Sequence, residues 1–300
     1  MAKNFGSVYM PKIIEKAPFF RSFFCFFPHK FLSFTRMPES RKIRILVTND
    51  DGVQNANIHA LAAALSPLGE VFVFAPESEQ SGVSQAFTVR RGLQLKKCEA
   101  PAGNHPPYGV YSLSGTPADA VKFALGHVAL HGLENVLPGA FDVCFSGINV
   151  GENSGVSSLY SGTVAGAREA ALWRVPAVAL SLRGTDTTLL QTAVDFAVKI
   201  VQERLFKNIP AGVFWNVNFP KATAESFKGF KATRMALGMF TDHYTHQDGE
   251  WFLDGEKLWS EQPESSDDYL LEQGYATITP HRIDQTDEKS LEEINKIIRG

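Results

Sequence analysis

Residues 43–52 read "IRILVTNDDG": a largely apolar run of strand length, then two adjacent carboxylates, Asp50 and Asp51, ahead of a glycine. A short apolar run of this kind is the pattern of a parallel strand covered on both faces. The acids at its end raise an electrostatic question. Two anions about 4 Å apart repel by roughly 4 kcal/mol at an effective dielectric of about 20. Either the pair lies open to water or something offsets the repulsion. Neighbouring side chains along a strand point to opposite faces, so Asp50 and Asp51 share a site only where the chain is already turning, as Gly52 permits.

Outward from this stretch the chain alternates. Ile58, Leu61, Leu65 and Leu68 recur at helical spacing with Asn57 as the expected N-cap. "EVFVFAP" follows as a strand ending at Pro76, then the polar loop "ESEQSGVS". "GTPADAVKFALGHVAL" reads as a helix capped near Thr116, with proline in its first turn. "FDVCFSG" is another buried strand, ending in the loop "INVGENSGVSSLYSG". A small-residue helix "TVAGAREAALWRV", a strand "AVALSL", a long amphipathic helix "TLLQTAVDFAVKIVQERLF" and a strand "GVFWNVNFP" complete the series. This rhythm predicts an α/β fold, a doubly wound and mostly parallel sheet, over residues 43–227. From residue 228 to residue 300 it fails. Polar, aromatic, turn-rich sequence there carries hairpin signals at Asp248-Gly249 and Asp254-Gly255, a strand "YATITP" and a terminal helix "SLEEINKIIRG". Such a segment buries little by itself and is expected to cover the core or pack on another subunit.

Residues 1–42 stand apart as an N-terminal extension. Eight phenylalanines lie between Phe19 and Phe34, but Arg21, Pro28, His29 and Lys30 interrupt them. The run is too short for a membrane span, which takes about 20 apolar residues. An interfacial anchor and a stretch upstream of a true start at Met37 are the two readings it leaves. The rest of the composition is that of a globular protein. Lys+Arg 29 against Asp+Glu 32 gives a net charge of −3, without the clustered cationic field a nucleic-acid duplex requires. Cys25, Cys98 and Cys144 are too few and too far apart for a disulfide framework or a zinc site, so a cytoplasmic location is expected.

In open α/β sheets ligands bind at the carboxyl ends of the strands, near the point where the strand order reverses. Three polar loops follow predicted strands there. They carry Asn49, Asp50, Asp51 and Gly52; Ser81 and Gly82; and Ser146, Gly147, Ile148 and Asn149. A divalent cation would remove the carboxylate repulsion. Two carboxylates, a hydroxyl from Ser81 and an amide carbonyl from Asn149 form an all-oxygen set suited to Mg²⁺ or Mn²⁺, and the absence of histidine and thiolate from these loops argues against zinc. Each loop alone is an ordinary turn, and Asp51 could equally cap the following helix. A second signal is "YSGT": Ser161, Gly162 and Thr163 stand at a predicted helix start, where free N–H groups favour an anion. With Asn49 and Gly82 they are the candidate phosphate-binding residues. "SGTPADA" at 114–120 has the same logic, and in both places an ordinary N-cap is the competing explanation. His59, His127 and His131 fall on predicted helices; His243, His246 and His281 lie in the C-terminal segment without ligand spacing.

Taken together, "ILVTNDDGVQNANIHALAAAL", "VFVFAPESEQSGVSQAFT", "LSGTPADAVKFAL", "VCFSGINVGENSGVSSLYSGTVAGAREAALWRVPAVALSL", "WNVNFP" and "GYATITP" resemble, in order, the SurE survival-protein family over residues 42–284. The resemblance implies a Rossmann-like core and a divalent-metal-dependent phosphatase acting on nucleoside 5′- and 3′-monophosphates. It implies metal ligands at Asp50, Asp51, Ser81 and Asn149, with catalysis centred on Asp50 and Asp51, and a phosphate-proximal loop at Ser161, Gly162 and Thr163. It also implies a C-terminal segment exchanged between subunits of a homodimer or homotetramer. Departures are modest: Gly166 and Ala170 stand where the family often has Ala and Gly, and "SSDDY" replaces a Gly-Thr-Asp run, with Asp267 aligned to its Asp. Two rivals remain. A receiver-like signalling module would need a phosphoacceptor Asp that "VCFSGIN" does not offer, and a non-catalytic nucleotide-binding regulator could use the same fold.

Overall fold

The computed structural model describes residues 41–99, 108–134, 136–184, 188–238, 240–257 and 262–299. The extension expected at residues 1–42 lies outside these except for its last two residues. In chain order the elements are β1 (Ile43–Thr48), α1 (Ala56–Leu65), β2 (Gly69–Pro76), β3 (Leu95–Lys97), β4 (Gly109–Leu113), α2 (Pro117–Phe123) and α3 (Ala129–His131). Then come β5 (Val143–Val150), α4 (Ser157–Tyr160), α5 (Gly162–Leu172), β6 (Ala177–Leu182), α6 (Leu190–Gln202) and β7 (Val213–Phe219). The C-terminal segment adds β8 (Phe230–Ala232), β9 (His243–Gln247), β10 (Glu250–Asp254), α7 (Asp267–Glu272), β11 (Ala276–Arg282) and α8 (Glu288–Arg299).

β1 is the hinge of the architecture. Its side chains alternate between two separate cores: Ile45 and Val47 pack with Ile58, Leu61 and Leu65 of α1 and Ala193 and Ala197 of α6. Leu46 packs on the other face with Ala120 and Val121 of α2 and Val164 and Ala167 of α5. All three of these β1 side chains are fully buried, which is why the strand reads as an apolar run rather than as an alternation. The sheet order is β3-β4-β2-β1-β5-β6-β7-β11-β8. The strands from β4 to β7 are parallel, while β3 and β11 run against their neighbours β4 and β7. The fold is therefore α/β, doubly wound and mostly parallel. The chain proceeds to one side of β1 through β2 and to the other through β5. The crevice between the carboxyl ends of β1 and β5 is the switch point at which such sheets bind ligands.

Several local expectations change. The N-cap of α1 is Asn55, whose side chain accepts from the Asn57 amide; Asn57 instead sends its Nδ2 3.1 Å to the Ile148 carbonyl, tying α1 to β5. The stretch 146–149 is not a loop beyond a strand: β5 continues to Val150 past an irregularity between Ser146 and Asn149, so Asn149 sits on the strand opposite Ser181. Asp248-Gly249 makes the hairpin turn between β9 and β10, both residues at positive φ. Asp254-Gly255 makes no second hairpin; Asp254 closes β10 and accepts the Gly255 amide with its own side chain. β8 and β11, from the segment set apart at residue 228, are strands of the central sheet. The β9–β10 hairpin and α8 are exposed along their whole lengths.

Candidate active site

The turn after β1 is laced to its surroundings by backbone. Asn49 Nδ2 donates to Gly52 O (2.9 Å), Val53 N to Pro76 O (2.8 Å) and Gln80 N to Asp50 O (2.7 Å). Gly52 has φ +97°, and a Cβ there would lie 3.3 Å from the Ser78 carbonyl carbon. Glycine is thus required both for the bend and for the approach of the loop after β2. The bend brings Asn49 and Asp50 to the buried crevice and leaves Asp51 half-buried beside them.

The helix α5 supplies the next part of the site. Ser161 is its N-cap, accepting from the Val164 amide at 3.1 Å. Gly162 lies against Asp50 so closely that a Cβ would fall 2.8 Å from Asp50 Cβ and 3.0 Å from both Asp50 Oδ2 and Gln80 O. Thr163 Oγ1 makes a short hydrogen bond to Asp50 Oδ1. The helix can sit this deep because Gly166 faces the sheet, where a Cβ would meet Ser146 Oγ at 2.7 Å and Thr48 Cγ2 at 2.8 Å. The small-residue stretch 165–167 thus has its packing reason at one position.

The electrostatics of the two acids follow from burial. Asp50 is held above the usual carboxylate range by desolvation, opposed by hydrogen bonds from the Thr163 hydroxyl and amide. Burial pushes Asp51 up to about 6, with further contributions from the charges of Asp50 and Glu79. Asp51 Oδ2 and Asn49 Oδ1 are buried and accept no hydrogen bond. A group left so costs free energy unless a partner is supplied. An acid pair raised chiefly by burial, with the Glu79 charge nearby and a carboxylate oxygen that accepts no hydrogen bond, fits a divalent cation held through oxygen ligands.

The structure brings Asp50, Gly162 and Thr163 together, with Asn49 buried in the same turn as Asp50. Ser81 and Asn149 stand on the flanking elements, and neither hydrogen-bonds to the acid pair. Ser81 is exposed and donates to Glu79 Oε1 at 2.6 Å; Gly82 beside it has φ +69° and open space around it. Asn149 is half-buried and uses its Nδ2 on Gly151 O at 2.7 Å. Glu79 was not singled out in the sequence, yet its charge bears on both acids. Its position two residues before Ser81, in the loop already chosen, was the available signal. The "SGTPADA" segment is an ordinary cap: Thr116 and Asp119 form a reciprocal capping box, and Asp119 also accepts from Thr88 N and Oγ1. Among the described residues the histidines make hydrogen bonds, ring contacts or an ion pair away from the acid pair. His59 bonds Val53 O at 2.7 Å, and His127 stacks on Phe123 with His131 beside it. His246 lies on Trp251, His243 reaches Asp254 at 3.7 Å, and His281 stacks on Phe214, where burial lowers its pKa to about 4.

Comparison with known proteins places these features in company. The family model "Survival protein SurE" matches residues 45–242. The chain is 35% identical over 257 residues to a "5′-nucleotidase SurE" of Flavobacterium psychrophilum, covering 84% of this chain and 96% of that protein. To a "5′-nucleotidase SurE 1" of Thermus thermophilus it is 37% identical over 264 residues, covering 86% and 99%. Among solved structures, a "Sure Protein from Aquifex aeolicus" superimposes with a TM-score of 0.69 at 29% identity, covering 85% of this chain and 99% of that one.

Proposed function

The chain belongs to the SurE family, and on that premise we propose that it is a 5′-nucleotidase, a divalent-metal-dependent phosphomonoesterase releasing phosphate from nucleoside 5′-monophosphates. The observation that carries this reading is the pair Asp50–Asp51, with Asp51 Oδ2 buried and unpartnered, lying at the switch point against the N-terminus of α5. Asp50 and Asp51, with Ser81 Oγ and the carboxamide oxygen of Asn149, would hold one Mg²⁺ or Mn²⁺. When bound, such a cation supplies Lewis acidity toward the phosphate and the attacking water.

The chain's own residues account for the rest. The first turn of α5 presents the backbone N–H group of Gly162 and the positive end of the helix dipole, a site for the phosphate dianion, while the Thr163 amide and hydroxyl are engaged by Asp50. Donors fixed there beforehand stabilise charge shifting onto the non-bridging oxygens without reorganisation. Ser161 keeps that turn in place by capping it, while Thr163 orients Asp50. One carboxylate of the pair accepts the proton of the attacking water. Asn49 shapes the turn through Gly52, and its Oδ1 is buried without a hydrogen bond. These residues are directed at phosphate and cation rather than at the sugar, so 3′-monophosphates are expected substrates as well.

Among the described residues no helix is long and apolar enough to cross a membrane. We place the enzyme in the cytoplasm as a homodimer or homotetramer; the exposed β9–β10 hairpin, with Trp251 67% exposed, and α8, with Ile297 78% exposed, support subunit contacts there. Phosphate release from AMP, GMP and their 3′-isomers, measured with Mg²⁺ and Mn²⁺ separately and with chelator, tests the function. Metal-dependent release supports it; binding without release across the panel would favour the non-catalytic regulator instead.

A further inference from the structure

Between Asn149 and Ser161 the chain crosses a loop whose backbone is satisfied by buried side chains. Asn153 N donates to Asn218 Oδ1 and Asn153 O accepts from Asn216 Nδ2, each at 2.7 Å. Gly155 N donates to Asp267 Oδ2 at 2.9 Å, and Ser154 Oγ to Asp268 Oδ1 at 2.7 Å. Lys257 closes the arrangement: its Nζ donates to Asp268 Oδ1 at 2.7 Å and to the Ser154 carbonyl at 2.9 Å. The Lys257 and Asp268 side chains are 3% and 0% exposed.

A buried ion pair is a weak stabiliser, because desolvating both charges offsets most of their attraction. What Lys257 adds is a bond from an otherwise distant segment to the backbone of the loop that links two parts of the candidate site. Fit there is tight: Gly155 has φ +53°, and a Cβ on it would lie 2.5 Å from Asp268 Oδ2. From Gly155 two successive local bonds lead to Ser161. Gly155 O accepts from Ser158 N (3.1 Å) and Ser158 Oγ (2.7 Å), and Ser157 O accepts from Ser161 N (3.1 Å). Ser161 then caps α5.

We propose that Lys257 is a positioning residue: through Asp268 and the Ser154 carbonyl it fixes residues 153–160 and thereby the seat of Ser161, Gly162 and Thr163 against Asp50. This rests on the phosphomonoesterase reading given above. The test is the double variant Lys257→Met/Asp268→Asn. It removes both charges together and keeps an acceptor for Ser154 Oγ, so no buried charge is stranded. Amide hydrogen exchange and AMP kinetics at saturating metal are read at a temperature where both proteins are folded. The expected result is exchange of amides 154–163 faster by about tenfold, unchanged exchange in β1 and α1, and a KM for AMP raised about tenfold with kcat lowered about tenfold, together the roughly hundredfold scale of a misplaced group. A merely structural role would lower the melting temperature and leave loop exchange and KM at wild-type values; that result overturns the proposal, as does faster exchange with an unchanged KM. Wild-type protein that released no phosphate would instead remove the function reading, and exchange would then decide the clamp alone, with wild-type exchange at 154–163 overturning it.

Discussion

The molecule holds two pairs of adjacent aspartates and treats them in opposite ways. Asp267 and Asp268, at the start of α7, are wholly buried, and the protein supplies partners to three of their four carboxylate oxygens, leaving Asp268 Oδ2 without a hydrogen bond. Asp267 accepts from the amides of Gly155, Ala236 and Asp268, and Asp268 takes Lys257 and Ser154. Asp50 and Asp51, at the end of β1, receive the Thr163 donors on one carboxylate, while the charge of Glu79 acts on both and that of Asp50 on Asp51. The first pair has a cation, Lys257, supplied from within. The second is built as though the neutralising charge arrives from outside. The difference teaches that adjacent acids announce no function by themselves; what matters is whether the fold supplies their countercharge.

The sharpest way to break this comparison is substitution at β1. Asp50→Asn is expected to lower AMP turnover on the order of a thousandfold, the scale of losing a principal electrostatic stabiliser, with an unchanged circular dichroism spectrum. Near-normal turnover would refute the ligand assignment. Removing the countercharge from the other pair has its effect on stability. Lys257→Met alone leaves Asp268 buried beside a missing cation and should cost about 3–5 kcal/mol in urea unfolding. Asp51→Asn in metal-free protein should cost nothing or stabilise, and a comparable loss there would erase the distinction.

The pH dependence separates the pairs further. The pKa of Asp51 is about 6 in the folded protein against 3.8 as its ordinary value. The unfolded chain therefore releases this proton first as pH rises, and ionising Asp51 lowers the stability of the metal-free fold between about pH 4 and pH 6. Thermal melts should show Asp51→Asn gaining on wild type across that window, and saturating Mg²⁺ at pH 7 should cancel the gain. A difference constant with pH would contradict the electrostatic account. The smallest effect compares two helix starts. Thr116→Ala should cost about 1 kcal/mol as a lost cap with AMP turnover intact, whereas Thr163→Ala should depress turnover, since its hydroxyl holds Asp50.

Much of this was legible in the chain because burial on both faces leaves a plain record. "IRILVT" and "AVALSL" could hardly be anything but inner strands, and Asp50, Asp51, Gly162 and Thr163 stood where strand ends and a helix start must lie. Other features left weaker traces. Asn55 and Asn57 are equally good caps by composition, and only the contact of Asn57 with Ile148 O decides between them. Strands β4 and β8 and helix α7 are too short for periodicity to reveal. β11 pairs antiparallel to β7 and carries β8 into the sheet, a long-range pairing that no local pattern encodes. Lys257 lies in a polar, turn-rich stretch of the chain, and its burial depends on Ser154, 103 residues away.

The account turns on whether the pair at the end of β1 works through a divalent cation. Phosphate release from AMP, followed in one sample through chelation and readdition of Mg²⁺ or Mn²⁺, measures this most directly. The expected course is release that stops with chelator and returns with the metal. Release continuing undiminished in thoroughly chelated protein would contradict it.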